Sequence, residues 1–374
     1  VAVWQQKPEQ KERLKKQETY WLEQLAGELP VLELPTDFPR PPVRQFDGEI
    51  MNFTVGKEIL EKVKALAMRE GTTLYMTLLA VYHVLLSKYT GQQDMIIGSP
   101  IAGRPHVDLE SVVGMFVNTL ALRTQSKPGQ SFRSFLAQVK QQVLQAYENS
   151  DYPFEELVEK LDLQRDLSRQ PLFDTMLTMQ NMDIAEMDMP SLTIQPYEWE
   201  WKNAKFDLHW MIMEREQLHL SVEYSTRLFK RETIERMVKH FVHLLQQVAA
   251  NPEKSLAEFE LVTEEEKEQL LTVFNDTQAD YPRDKTIQAL FEEQVQRTPD
   301  RIAVTCEGKN LTYRELNERA NQLARVLRKE GVESESIVGL MFERSLEMII
   351  GILGVLKAGG TYMPIDPAYP AERI

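Results

Sequence analysis

Two kinds of hydrophobic pattern alternate along the chain, and this alternation limits the folds that it can adopt. Residues 57–70 carry apolar side chains at helical spacing and end at Gly71, a residue suited to a helix C-cap. The run MIIGSPI (95–101) is instead rich in residues typical of strands. The same alternation continues to about residue 250, which predicts an α/β fold.

Further elements of this first region follow from capping residues and spacing. Thr72 and Thr73 offer N-caps for a longer apolar helix ending near Gly91, and Ser131 opens another helix. Arg231–Ala250 has one apolar helical face. Three other runs predict strands: MFVNTLALR (115–123), PLFDTMLTMQ (171–180) and QLHLSVEYS (217–225).

The composition changes after residue 250, where residues 251–285 contain ten acidic and four basic side chains. This segment is predicted to be an interdomain linker with one short helix. Beyond it, IAVTCEGKNLTY predicts a hairpin turning at residues 307–310, and Thr312 with Glu315 forms a capping box. The strand–helix–strand order that leads to TYMPID predicts a parallel sheet.

Charge and cysteine content exclude several classes of function. A net charge of −14 argues against a nucleic-acid surface, because phosphate binding requires clustered Lys and Arg. Cys306 is the only cysteine, so an internal disulfide is impossible and a reducing cytoplasm is the predicted location. The most apolar stretch, at residues 348–356, is half the length that a bilayer requires. We therefore expect no membrane partner.

Four motifs occur in an order that resembles one family. They are VAVW (1–4), VGMFVNTLALR (113–123), NSDYPFEELVEKL (149–161) and RDLSRQPLF (165–173). Each is similar to a motif of the condensation domains of nonribosomal peptide synthetases. The resemblance implies a chloramphenicol-acetyltransferase-like lobe in residues 1–250.

A second resemblance begins after the linker. LTYRELNERANQLARVL (311–327) and LKAGGTYMPIDPAYPAERI (356–374) look like the first two motifs of amino-acid adenylation domains. Residues 286–374 are thus predicted to be the start of an adenylate-forming, AMP-binding domain. Condensation followed by adenylation is the order of an elongation module, which implies antibiotic-type peptide synthesis.

The resemblance also implies a mechanism and a set of partners for an intact parent. The parent would join an upstream acyl or peptidyl thioester to an aminoacyl thioester, using carrier-bound phosphopantetheine, and would activate an amino acid with ATP and Mg. The expected partners are upstream and downstream carrier domains, the N-terminal condensation lobe and the remaining adenylation domain.

The expected HHxxxDG motif is absent from the sequence, as is a glycine-rich phosphate loop. The active-site histidine is expected upstream of the first residue and the nucleotide site beyond the last, since both ends look cut. The chain alone is therefore predicted to contain no catalytic residue, to bind no cofactor or metal, and to be inactive.

Asn118 is the candidate substrate-tunnel residue that the resemblance suggests. Its amide would bond a substrate carbonyl or pantetheine arm; alternatively, it bonds neighbouring backbone and fixes strand register. Phe116 is predicted to be a packing residue rather than a tunnel wall. Asp151 and Glu155 form an acidic pair, but Pro153 lies between them, which favours a helix-start cap over catalysis.

Other polar residues are predicted to be structural. Arg165, Asp166 and Arg169 either bind a carrier phosphate or form an internal ion pair, and the ion pair is favoured. His240 and His243 are predicted to be solvated helix positions. Three further structural predictions place His83 and Trp4 in the core, and Gly359-Gly360 at a helix C-terminus.

Two other functions remain open. The isolated chain could act only as a docking platform for carrier domains, because it lacks both catalytic motifs. A free-standing acyltransferase of the same fold is the third possibility, and the adenylation segment argues against it.

Overall fold

A computed structural model describes residues 7–104, 107–109, 111–164, 166–180, 202–370 and 372. Trp4 and Arg165 lie outside the described residues. The chain divides into two compact units, Val1–Asn275 and Asp276–Ile374. The linker boundaries at residues 250 and 285 stay predictions, although residues 252–268 carry side chains such as Leu256 and Phe259 that are buried in the core of the first unit.

The first unit has a six-stranded sheet with helices packed against it. Its strands are β1 (Gly48–Val55), β2 (Asp94–Ile101), β3 (Asn118–Gln125), β4 (Thr175–Gln180), β5 (Leu208–Glu214) and β6 (Leu218–Ser225). Its helices are α1 (Pro8–Gln24), α2 (Lys57–Glu70), α3 (Leu74–Thr90), α4 (Phe132–Glu148), α5 (Phe154–Lys160), α6 (Arg231–Ala250) and α7 (Glu264–Glu268). Short turns of other helix types lie at Val107–Leu109, Leu256–Glu258 and Gln269–Val273.

The strand order in this sheet is β1-β6-β5-β4-β2-β3. β4 runs parallel to both of its neighbours, whereas the remaining pairs are antiparallel. The sheet is therefore mixed, and the predicted α/β class is confirmed. Ile101 pairs with Asn118, so the β2–β3 pair ends where the connecting loop begins.

The core contains buried side chains of the sheet and of the helices α2, α3, α4 and α6. Alternate residues of β5 point into it, as the period of a strand requires, and Trp210 is fully buried. Its indole ring lies 5.1 Å from the ring of Tyr82 and 5.0 Å from that of Phe241. Aromatic contacts thus join the sheet to α3 and α6.

The predicted helix ends of this unit are confirmed. Gly71 and Gly91 adopt left-handed backbone angles, with φ of 61° and 74°, and cap α2 and α3. The side chain of Thr73 accepts a hydrogen bond from the backbone N–H of Met76, and Ser131 caps α4 in the same way. Local sequence therefore sets these boundaries.

The second unit contains three helices and two small sheets within its described residues. They are α8 (Ile287–Arg297), β7 (Ile302–Cys306), β8 (Lys309–Thr312), α9 (Tyr313–Lys329), β9 (Ile337–Met341), α10 (Leu346–Ala358) and β10 (Thr361–Ile365). β9 and β10 form the predicted parallel pair, whereas β7 and β8 form a separate antiparallel hairpin.

Local signals in the second unit also act as predicted. Glu307 and Gly308 have φ of 48° and 76°, the left-handed pair that a tight hairpin turn requires. Thr312 and Glu315 form a reciprocal capping box at the start of α9. Among the described helices, none combines the length and the apolar character that a bilayer crossing requires.

Candidate functional site

Asn118 uses its whole side-chain amide in contacts with backbone. Its Nδ2 donates to the carbonyl oxygens of Ser150 and Tyr152, both at 2.8 Å. Its Oδ1 accepts from the N–H groups of Thr119 at 2.9 Å and Phe154 at 3.2 Å. An amide has two donors and two lone pairs, so this set of bonds is complete.

Asn118 thereby caps a helix that belongs to another motif. Pro153 is the N-cap residue of α5 and offers no side-chain acceptor, and Asn118 Oδ1 takes that role for the N–H of Phe154. The prediction that Asp151 caps this helix was wrong. The Asp151 carboxylate instead pairs with Arg13 and accepts from Gln17 Nε2 at 3.1 Å, because α1 packs beside the turn.

The contacts of Asn118 bear on its two possible roles. They match the structural role, in which the amide bonds backbone at the edge of β3. A contact with substrate stays a prediction, and it would require Asn118 to exchange one of its present bonds, since each donor and each lone pair is used.

Aromatic packing brings the third motif to the same place. The ring of Phe173, from the RDLSRQPLF segment, lies 5.5 Å from the ring of Phe154 and 5.7 Å from that of Phe206. A Cβ at Gly98 would come within 2.3 Å of the Phe173 ring, so only glycine permits this approach. Residues from all three described motifs therefore meet beside β2 and β3.

A buried ion cluster holds the RDLSRQPLF segment. Arg169 pairs with Asp174 and also donates to the carbonyl of Leu32 at 2.9 Å, while Arg40 pairs with Asp207 through both of its terminal nitrogens. The favoured prediction of an internal ion pair is confirmed for Arg169. The structure adds Arg40, Asp174 and Asp207, which the sequence reasoning missed.

Burial and the nearby Asp207 raise the pKa of Asp174 to about 6, and Arg169 only partly offsets them. One oxygen of Asp174, Oδ1, is buried without a described partner. The same segment borders a cavity of about 1150 Å³ whose lining includes Leu32, Arg169 and Phe173. The cavity and the ion cluster therefore share residues.

His240 corrects a second prediction. It is buried rather than solvated: its Nδ1 lies 2.7 Å from the hydroxyl of Tyr89, and its Nε2 lies 2.9 Å from the carboxylate of Glu266. The prediction failed because residues 263–268 fold back onto α6. The sequence signal for this contact was Thr263 with Glu266, a capping box inside the acidic run TEEEKEQLL.

The remaining histidine predictions differ in outcome. His83 is a core residue as predicted, since burial lowers its pKa to about 4 and its Nε2 lies 3.1 Å from the carbonyl oxygen of Thr124. His243 is half-buried. Its pKa is lowered mainly by burial and to a smaller extent by repulsion from His240. Among the described residues, no group of three or more His, Cys, Asp or Glu is arranged to hold a metal ion.

The glycine pair of the second unit does not fit a phosphate. Gly359 has φ of 99° and caps α10, and its N–H donates to the carbonyl of Leu356 at 3.2 Å. The N–H of Gly360 donates to the carbonyl oxygen of Val355 at 3.0 Å. Both amides are used, and a helix C-terminus presents carbonyl groups that repel anions. The C-cap prediction is confirmed.

Cys306 and Arg344 lie close together in this unit. The Cys306 thiol is 3.6 Å from the carbonyl oxygen of Arg344, and Cys306 is half-buried. Arg344 precedes α10, whose N-cap is Ser345. These contacts support a structural role for both residues.

Comparison with known families agrees with this arrangement. Residues 1–271 match the Condensation domain family, and residues 291–374 match the AMP-binding enzyme family. The chain belongs to the condensation-domain family, and its second unit has the start of an AMP-binding domain.

Individual relatives are similar over the whole length of the chain. The chain is 55% identical over 374 residues to tyrocidine synthase 2 of Brevibacillus parabrevis. It is 52% identical over 374 residues to gramicidin S synthase 2 of Aneurinibacillus migulanus. All of this chain is covered, but it spans only 10% and 8% of those proteins.

Solved structures support the fold over nearly the whole chain. A four-domain nonribosomal peptide synthetase, holo-AB3403 bound to AMP and glycine, matches with a TM-score of 0.79 and 26% identity. The match covers 98% of this chain and 29% of that one. The X-domain from teicoplanin biosynthesis matches 69% of this chain and 61% of its own, with a TM-score of 0.63 and 25% identity.

Proposed function

We propose that this chain is part of a peptide synthetase module that forms a peptide bond between two carrier-bound thioesters and activates an amino acid. The observation that carries the proposal is the condensation-domain match followed in the same chain by the AMP-binding match. Similarity to two peptide synthetases extends over all 374 residues.

The proposed reaction is an acyl transfer. The amine nitrogen of the downstream aminoacyl thioester attacks the carbonyl carbon of the upstream thioester and gives a tetrahedral intermediate. The carbon–sulfur bond then breaks, an amide forms, and the proton lost by nitrogen is balanced by the proton gained by the departing thiol. Holding both thioesters in place would lower the barrier by up to about 7–11 kcal/mol in favourable cases.

The residues of this chain would position the substrates and would not transfer the proton. Asn118, Phe154 and Phe173 join three motifs into one packed group, and we propose that this group borders the substrate passage. A direct bond from Asn118 to a substrate carbonyl or a pantetheine arm is part of the same proposal. The acyl-transfer histidine would come from a preceding lobe of the intact synthetase.

The cofactors of the proposed reaction belong to the intact synthetase. Carrier-bound phosphopantetheine would present the substrates, and ATP with Mg would activate the amino acid. The 374 residues alone are proposed to catalyse neither reaction, and a cytoplasmic location stays a prediction.

The test uses the intact synthetase with its two carrier domains loaded with aminoacyl groups. The expected product is a dipeptidyl thioester, detected by mass spectrometry of the downstream carrier. Failure to form it with every amino acid pair would contradict the proposal. The 374-residue chain serves as the matched control and should show no condensation and no ATP–pyrophosphate exchange.

A second candidate function is a docking platform for carrier domains. Exposed apolar side chains on the helical segment after α7 favour it, because such clusters mark interaction surfaces: Leu270, Leu271, Val273 and Phe274. Calorimetric titration of the chain with a phosphopantetheine-loaded carrier domain tests this function. Binding that is weakened by Leu271→Ser would support it, and no measurable binding would contradict it.

A further inference from the structure

In the described part of the loop that joins β2 to β3, the guanidinium group of Arg104 contacts several residues. Nη1 donates to the carbonyl of Leu109 and, at 2.8 Å, to that of Val112, while Nη2 donates to the carbonyl of Gly114 at 3.2 Å. The Arg104 Cζ also lies 4.3 Å from the centre of the Phe116 ring. One side chain thus contacts four points of the loop.

The base of this loop is closed by a glycine. Gly103 has φ of 63°, and a Cβ at this position would lie 1.7 Å from the carbonyl oxygen of Phe116. Only glycine permits the two arms of the loop to pass so closely. Arg104, the next residue, is therefore directed into the loop immediately beside the start of β3 at Asn118.

The chemistry of these contacts requires arginine. Guanidinium is planar, presents five donors in a fixed fork, and stacks on aromatic rings, whereas the ammonium of lysine is a compact point charge. The N–H groups of the guanidinium fork bond three carbonyl groups, and its flat face stacks on the Phe116 ring. Lysine at this position would keep the charge and lose the geometry.

The loop holds apolar side chains outward. Val113 is 100% exposed and Met115 is 94% exposed, although both flank Gly114, whose carbonyl Arg104 binds. Arg104 bonds the carbonyl groups of the residues that immediately precede these two side chains, Val112 and Gly114. The Arg104 contacts therefore select a conformation that leads directly into Asn118 and, through it, α5.

We propose that Arg104 is a positioning residue for peptide-bond formation, holding the β2–β3 loop and the start of β3 in the conformation that the thioester substrates meet. The proposal rests on the proposed function. Arg104 acts through the loop backbone, through Phe116 and through Asn118. Loss of the Arg104 side chain is expected to lower the rate of condensation in the substrate-bound complex more than it lowers the affinity for carriers.

The experiment measures kcat and KM for condensation in the intact synthetase carrying Arg104→Gln or Arg104→Lys. Both variants are expected to lower kcat about 10- to 100-fold and to change KM by less than about threefold. The matched control is Arg44→Gln, because the Arg44 guanidinium lies 4.6 Å from the centre of the Phe46 ring in a comparable stacked pair. The control should leave kcat unchanged.

A second measurement reports on the loop itself. Hydrogen exchange of the 374-residue chain should show faster exchange at residues 112–116 in Arg104→Gln, with unchanged exchange in α3. If global unfolding obscures this result, Phe116→Leu removes only the stacked ring and should give a smaller fall in kcat in the same direction.

The outcomes separate the two proposals. A wild-type synthetase that forms no dipeptide overturns the proposed function. An active wild type whose Arg104→Gln variant keeps its kcat, or keeps the exchange rates of its loop, overturns the role of Arg104 alone. Full rescue by Arg104→Lys also overturns it, because charge would then suffice without the fork.

Discussion

The two units form helices from the same local signals but bury their strands very differently. In the first unit, Leu208, Trp210 and Ile212 of β5 are fully buried against helices. In the second unit, the first four residues of β10 are exposed. In β9, exposed and half-buried residues alternate. Local capping forms elements in both units, and a large shared core distinguishes the first.

Two of the capping boxes, one in each unit, show this contrast at the level of single residues. Thr312 and Glu315 bond each other at the start of α9. Thr263 and Glu266 do the same at the start of α7, but Glu266 also bonds the buried His240. One box is local, whereas the other attaches a helix to the core of its unit.

The largest effect is expected from the core of the first unit. Trp210→Ala should lower its free energy of unfolding by about 3–5 kcal/mol, because a fully buried indole is removed from between Tyr82 and Phe241. Urea unfolding followed by far-UV circular dichroism measures the change. Met68→Ala, at a side chain that is 77% exposed, is the control and should cost little. Similar costs for both variants would contradict the assignment of the core.

Asn118→Ala should lower the free energy of unfolding by about 2–3 kcal/mol, since it leaves the carbonyl groups of Ser150 and Tyr152 and the N–H of Phe154 without their partner. The same urea titration measures it. Asn52→Ala removes an exposed contact with Ser221 and should cost less than about 1 kcal/mol. Equal changes in the free energy of unfolding for the two variants would show that the bonds of Asn118 between the motifs do not stabilise the fold.

Glu266→Gln should lower the free energy of unfolding by about 1–2 kcal/mol at pH 7, because it weakens a charge-assisted bond to His240. Burial opposes ionisation of Glu266, but bonds from the Thr263 N–H and from His240 outweigh it and lower its pKa. A carboxylate whose pKa is lowered by folding stabilises the protein at pH values above its pKa in the unfolded chain, about 4.3. This stabilisation is lost as the pH falls through the pKa of the folded state.

Unfolding measured from pH 7 to pH 3 should therefore show the difference between wild type and Glu266→Gln narrowing below about pH 4.3. Glu265→Gln, at an exposed neighbouring position, is the control. A difference that is constant with pH would mean that the carboxylate charge does not attach α7 to α6.

The smallest effect is expected at the local box of the second unit. Thr312→Ala should cost about 1 kcal/mol through loss of the N-cap of α9. Thr312→Ser keeps the hydroxyl and should restore most of the stability. Helix content and unfolding of this unit, followed by circular dichroism, measure both variants. A cost above that of Glu266→Gln would reverse the proposed contrast between the two boxes.

Sequence reasoning succeeded where a few neighbouring residues decide the structure. It predicted the caps at Gly71, Thr73 and Gly359, the hairpin turn at Glu307-Gly308 and the parallel strands of the second unit. It failed where a distant segment supplies the partner. Asp151 bonds α1 instead of capping α5, and His240 is covered by a segment that was predicted to be linker.

The candidate site divides in the same way. Motif resemblance identified Asn118 as a candidate. It did not predict that the side-chain amide of Asn118 bonds the backbone of residues 150–154. Arg40 and Asp207 lie 167 positions apart and meet only in the folded chain. No local pattern marks such a pair, because the free energy of each charge depends on the burial and the partner that the other elements provide.

By itself, the sequence determined the periodicity, the caps and the turns, since these depend on backbone preferences and on contacts over a few residues. Tertiary structure alone decided which helix covers His240, which strand caps α5, and which carbonyl groups Arg104 binds. Such contacts join residues from separate elements, and their energy exists only after the core has brought those elements together.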